Sequence, residues 1–404
     1  MKVIFYENKE IQKLYPIAYT RPAFDIFCGA TTLYQVITEV FGSSIDYLIR
    51  QEILETASLK SSAAKSSSDK ILYLDASLVP SFDLAINLFK LLAEKNNCLI
   101  KNNNEVIGFL SSELISDFRI LVDADFKLND KTEAVSFDWP TFNYSWDTII
   151  YNQEVLSANL EHLKKSYQEI KPGVFVGKNV DLAENIVMDT KKGIIVIDNE
   201  TRIMPFSHLA GPLYIGKNCL IKEFSSIKDN CCFGPVCKIG GEVESTIIQG
   251  YSNKQHYGFL GHSYLGEWIN IAAGTSNSDL KNTYSRVKIN GIDTGQQFLG
   301  TVIGDYSRTA INTSIFTGRV IGVSSFIYGT ITRDIVSFTN YAAHLGCVIE
   351  LALDVAIKAQ QAMFARRGRE QTAEDINLLT QIFEATKVER NKENICPGRL
   401  EFKI

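Results

Sequence analysis

The stretch IDNETRIMPFSHLAGPLYIGKNCLIKEFSSIKDNCCFGPVCKIGGE, residues 197–242, decides the fold. Counting in sixes from Ile197 lands on Ile203, Leu209, Ile215, Ile221, Ile227, Phe233 and Ile239, an unbroken apolar column that neither helical nor simple strand periodicity produces. Small and polar residues follow many of these positions, as in Ile215-Gly-Lys-Asn and Ile239-Gly-Gly-Glu, and suit corners. In a triangular coil the period-six residue points inward and stacks on its equivalents in the coils above and below, about 4.8 Å away. The expected architecture is a left-handed parallel β-helix of hexapeptide repeats over residues 172–335. The register resumes at Phe259, Leu265 and Ile271, and again at Ile303, Thr309, Ile315, Ile321 and Ile327. The break, residues 275–297, must loop out of the coil, and loops leaving a rigid scaffold tend to carry function.

On the N-terminal side, residues 1–168 alternate apolar strands (Lys2–Tyr6, Ile71–Leu74, Cys98–Lys101, Glu105–Leu110) with helical stretches (Thr31–Phe41, Phe82–Lys95), the pattern of an α/β domain. Ser58–Lys70, SLKSSAAKSSSDK, reads as a mobile loop. On the C-terminal side, residues 345–404 form a helical tail. Its helices are expected over Val348–Arg369 and Thr372–Arg390, the second capped by Thr372 and Asp375, with Ile376, Leu379, Ile382 and Phe383 on one face.

The 404 residues exceed what one ordinary core organises, which agrees with this division. A net charge of -5 gives no basic excess for nucleic acid or an anionic membrane surface. No signal-like opening and no run of about 18 apolar residues occurs, so a cytoplasmic protein is expected. Eight scattered cysteines without a CxxC pair argue against disulfides; Cys231, Cys232 and Cys237 read as packing residues of the repeat rather than metal ligands.

The segment KQHYGFLGHSYLGEWINIAAGTSNSD, residues 254–279, carries His256, Leu260-Gly261, Leu265-Gly266, Asn270-Ile271 and Ala273-Gly274-Thr275. In these residues it resembles the acetyltransferase half of bifunctional N-acetylglucosamine-1-phosphate uridyltransferase/glucosamine-1-phosphate acetyltransferases. The resemblance implies that His256 is the general base that deprotonates a sugar amine before it attacks the acetyl-CoA thioester, chemistry suited to an imidazole titrating near neutrality. It implies substrate binding by Asn270 and by Arg286. Phe259 stands where the family has Tyr, Asp279 where it has a second substrate Asn, and EVESTIIQG lacks the family's upstream basic residue. The plainer alternative makes His256 a polar corner residue. A zinc site including His262 is a third, although the five histidines reproduce no known ligand set.

The N-terminal domain resembles sugar nucleotidyltransferases in shorter pieces: Leu14–Pro22, Asp75 at a strand end, and Trp146-Asp147 leading into a helix. The resemblance implies Mg²⁺ held by Asp75 and Asp147 between the phosphates of a nucleoside triphosphate and a sugar phosphate. The family's Gly-rich phosphate loop is replaced by Glu7-Asn8-Lys9-Glu10-Ile11, without a glycine, so Arg21 becomes the candidate for the lost positive charge.

Taken together, these residues lead to a trimeric transferase of sugar-nucleotide biosynthesis. It would transfer an acyl group to an amino sugar phosphate or nucleotide sugar, with nucleotidyl transfer as a second activity. The rivals are a nucleotidyltransferase with the β-helix as trimerisation rod, and a non-catalytic scaffold that binds nucleotide sugars.

Overall fold

The computed structural model describes residues 1–42, 45–51, 53, 70–112 and 133–400; residues 58–69 of the Ser-rich segment lie outside these. Residues 1–170 form an α/β domain. Its sheet is built from β1 (Lys2–Tyr6), β2 (Ile45–Leu48), β3 (Ile71–Asp75), β4 (Cys98–Asn102), β5 (Glu105–Ser111) and β6 (Ala134–Ser136), in the order β2-β1-β3-β5-β4-β6. β1 and β3 are nearly continuous apolar runs, as strands covered on both faces must be. Among the described residues three helices pack on the sheet: α1 (Leu33–Phe41), α2 (Phe82–Leu92) and α3 (Asp147–Leu163). In α1 the buried Leu33, Val36, Ile37 and Phe41 share one face, and Thr32 with Gln35 closes the N-terminus as a capping box.

Residues 174–341 wind into a β-solenoid of about nine turns, its short strands stacked in parallel along the faces of a prism. All eight period-six residues from Ile197 to Ile239 are fully buried, stacked in register as in Ile203↔Ile221 and Ile221↔Ile239. Corners are made by residues with positive φ, recurring in sixes at Asn218, Phe224, Asn230 and Val236, with glycines such as Gly241, Gly258 and Gly274 further along. Glycine is required instead where coils approach: a Cβ on Gly234 would lie 1.9 Å from the Gln249 carbonyl oxygen.

Three expectations need correction. After Ile239 the inward column continues at Val243 and Leu260, while Phe259 turns outward and is half-buried. The excursion is shorter than residues 275–297: Ser276–Asn277 still pair in the coil, and Leu280↔Phe298 closes the base of a loop containing the hairpin Lys288–Ile289/Ile292–Asp293. The tail begins as a strand, Cys347–Glu350, antiparallel to Thr339–Ala342, before α4 (Leu353–Ala365), α5 (Ala373–Ala385) and the short α6 (Lys387–Lys392). The expected capping box at Thr372 and Asp375 is present. On α5, Leu379 and Ile382 are buried, while Ile376 is 36% exposed.

The α/β domain lies along one solenoid face, whose outward residues Val196, Cys232, Ile247, Tyr264 and Val302 join its core. Gln249 ties the two, accepting from the Phe27 N–H at 2.9 Å and donating to the Asp25 carbonyl at 2.9 Å. The tail helices cover part of a second face. No helix among the described residues is long and apolar enough to cross a membrane.

Candidate functional site

The α/β domain holds a cleft of about 280 Å³ between the C-terminal ends of β1 and β3, lined by Glu7, Asn8, Lys9, Glu10 and Asp75 among others. Here the segment that replaces a phosphate loop is committed to its own structure. The buried Glu7 carboxylate accepts from the Ala23 N–H and from the Arg50 guanidinium. Asn8 caps the following 3-10 turn through its Oδ1 and donates from Nδ2 to Asp75 at 2.7 Å. Asp75 also accepts from the Ser77 N–H and hydroxyl; burial still pushes its carboxyl above the ordinary value.

Asp147 does not line this cleft. Its Oδ2 accepts the N–H groups of Asn143 and Tyr144, a turn-closing role at the start of α3, and burial raises its carboxyl too. No group of three potential metal ligands occurs among the described residues. Of the two carboxylates expected to hold Mg²⁺, Asp75 lines the cleft and Asp147 does not. Arg21 is also elsewhere: it is 5% exposed and forms a two-pronged ion pair with Asp305 of the solenoid, at 3.1 and 2.6 Å. Its charge locks domains together, and its donors are not offered to the cleft.

In the solenoid, His256 sits at an exposed corner, its imidazole without a hydrogen-bond partner among the described residues. Arg286 is exposed on the excursion. Asn270 lines a second cleft, between the coils and α4, which neither His256 nor Arg286 lines.

Two groups escaped the sequence reading. At the next corner of the same coil, His262 Nδ1 lies 2.8 Å from Asp279 Oδ2, both side chains largely buried. A carboxylate only accepts, so Nδ1 is the donor of this bond. The ring lies 5.5 Å from Phe298, at the mouth of the excursion. The second is Lys254, which occupies an inward slot of the solenoid, paired in register with Ile239. Its ammonium, 1% exposed, donates to the carbonyls of Gly240 and His256 at 2.8 and 2.5 Å, and burial lowers it to about 8.

Residues 3–168 match the sugar nucleotidyl transferase family model. A bifunctional sugar-1-phosphate nucleotidylyltransferase/acetyltransferase from Sulfurisphaera tokodaii is 33% identical over 153 residues, 36% of this chain and 38% of that protein. The bifunctional protein GlmU of Trichodesmium erythraeum is 29% identical over 147 residues, 36% of this chain and 24% of its own. The chain thus spans well under half the length of these relatives. A solved variant of AntD, an N-acyltransferase from Bacillus cereus in complex with dTDP and coenzyme A, aligns over 56% of this chain and 96% of its own. Its 15% identity and TM-score of 0.22 are too low to carry weight. The family model thus matches residues 3–168 although residues 7–11 hold no glycine.

Proposed function

We propose that this chain is a homotrimeric transferase of sugar-nucleotide biosynthesis. In this reading the solenoid moves an acyl group from acetyl-CoA to the amine of an amino sugar phosphate or nucleotide sugar, and the nucleotidyltransferase domain binds the nucleotide part. Transfer from a nucleoside triphosphate to a sugar 1-phosphate is the activity proposed for that domain. The observation that carries the reading is the His262–Asp279 pair, 2.8 Å apart on the coil that bears the acetyltransferase-like segment. In this reading Asp279 orients the imidazole through Nδ1, and Nε2 takes the amine proton. The resemblance favours His256, whose ring is exposed and unpartnered at the neighbouring corner.

The test measures thiol release from acetyl-CoA with glucosamine 1-phosphate as acceptor. Replacing the true base by Ala lowers the rate by roughly 10²–10⁴-fold while assembly and melting stay unchanged. His262→Ala is therefore compared with His256→Ala, and Asp279→Asn follows His262→Ala in direction if the pair acts together. Full activity in both histidine variants removes acyl transfer by either imidazole and leaves the solenoid as an assembly rod.

A further inference from the structure

Asn253, Asn270 and Arg308 stack as successive rungs on one solenoid face, joined by parallel bridges. α4 crosses over this column and brings Arg366 and Arg367 beside it, enclosing a cleft of about 180 Å³. Three guanidinium groups converge there, and no carboxylate lines the cleft. Arg308 donates from Nη2 to the Ala359 carbonyl at 3.2 Å, and Arg367 from Nη2 to Asn253 Oδ1 at 2.7 Å. Beyond these bonds, three buried donors in the cleft wall have no acceptor: Arg308 Nε, Arg367 Nε and Trp268 Nε1. Trp268 is 3% exposed, pinned between Tyr251 and Phe364 with ring centroids 4.6 and 4.5 Å away.

Such a group of donors is costly to leave unmet, since buried polar groups nearly always find partners and each failure costs desolvation energy. Mutual repulsion adds to that cost. Burial and the nearby Arg366 hold both Arg308 and Arg367 below the ordinary arginine value, and burial with Arg367 and Arg366 does the same to Lys238. An anion with several acceptor oxygens relieves both at once. Planar guanidinium forks match phosphate oxygens, and three cations suit a dianion better than a single carboxylate.

We propose that the cleft between the Asn253–Asn270–Arg308 column and α4 binds a phosphate group of a ligand, with Arg308, Arg366 and Arg367 as its cationic wall. The phosphate belongs to coenzyme A or to a phosphorylated sugar; both present the same chemistry. This inference stands apart from the acyl-transfer reading, because binding is measured without turnover.

The experiment uses the full chain at matched ionic strength. Thermal melting and titration calorimetry are recorded with pyrophosphate, coenzyme A, 3′-dephospho-coenzyme A and glucosamine 1-phosphate. At least one phosphate-bearing ligand should raise the melting temperature of the wild type, as a ligand of the native state must. Arg308→Gln and Arg367→Gln should each weaken that binding by roughly 10- to 100-fold, the loss expected for a charged hydrogen bond. Without ligand these variants should melt no lower than the wild type, because each removes an uncompensated charge. Preference for coenzyme A over its dephospho form assigns the cleft to the 3′-phosphate; preference for glucosamine 1-phosphate assigns it to the sugar. Should a buried substitution misfold, Arg366→Gln on the exposed side of α4 gives the same reading. No stabilisation by any ligand beyond matched salt, or undiminished binding in these variants, overturns the proposal.

Discussion

Lys254 puts an amine in an inward slot whose neighbour on the preceding coil is the aliphatic Ile239. Its folded value, lowered to about 8 by burial, lies below the ordinary 10.5, so the folded protein gives up this proton before the unfolded chain does. Between about pH 8 and pH 10 the unfolded state binds more protons, and stability must rise with pH through that window. Relative to Lys254→Met, the wild type should gain roughly 2–3 kcal/mol across it, from the size of the shift. Urea unfolding midpoints at several pH values measure this; parallel profiles for the two proteins would contradict it. At the same scale, the His262–Asp279 pair was legible in principle. The two residues lie 17 apart, one coil at this point of the rod, the same advance that pairs Asn253 with Asn270. A reading centred on His256 used the family pattern and took Asp279 only as a departure from it. Arg21 and Asp147 illustrate the reverse: the resemblance suggested phosphate and metal, but Arg21 pairs with an acid from another domain, which no local pattern reveals, and Asp147 accepts from two backbone amides three and four residues before it.

At the scale of the element, the period-six count located the coil core because each inward residue is buried by its own kind. Ile221 lies between Ile203 and Ile239 with no solvent contact, and neighbouring coils hold the walls apart, so the space left by truncation cannot collapse. Ile221→Ala should cost about 2–5 kcal/mol, read as a shift of the denaturation midpoint; a loss under about 1 kcal/mol would mean that the coils relax freely. The same count drifted at Phe259. Coils advance by 18 residues from Ile203 to Ile221 and to Ile239, then by 15 to Lys254. A fixed period cannot follow a shortened turn, and one residue of slip exchanges inside for outside. The strand Cys347–Glu350 was missed for a related reason: it is half-buried, paired on one side, and runs directly into helix.

For the whole molecule, the division into three parts was readable from composition and periodicity, but the docking of those parts was not. The Arg21–Asp305 pair is nearly solvent-free, with Thr20 donating to the same carboxylate at 2.8 Å and Glu267 3.5 Å from the guanidinium. Asp305→Asn leaves the buried guanidinium only the more distant Glu267, so it should weaken domain docking by about 1–3 kcal/mol. Calorimetry should then resolve the nucleotidyltransferase domain melting ahead of the solenoid, whereas an unchanged melting profile would make the pair incidental.

The two ends of the rod have a consequence for what this protein does not become. Gln168–Lys171 runs antiparallel to the first coil strand of its face, and Cys347–Glu350 runs antiparallel to the last strand of another. A stack of parallel coils is otherwise a template that a second rod could prolong, since each terminal strand exposes unpaired amides and carbonyls. A strand of opposite sense takes up those groups and offers the next copy the wrong polarity. On each of these two faces, one at either end of the column of about nine turns, end-to-end pairing of a second rod in the parallel sense is thereby opposed.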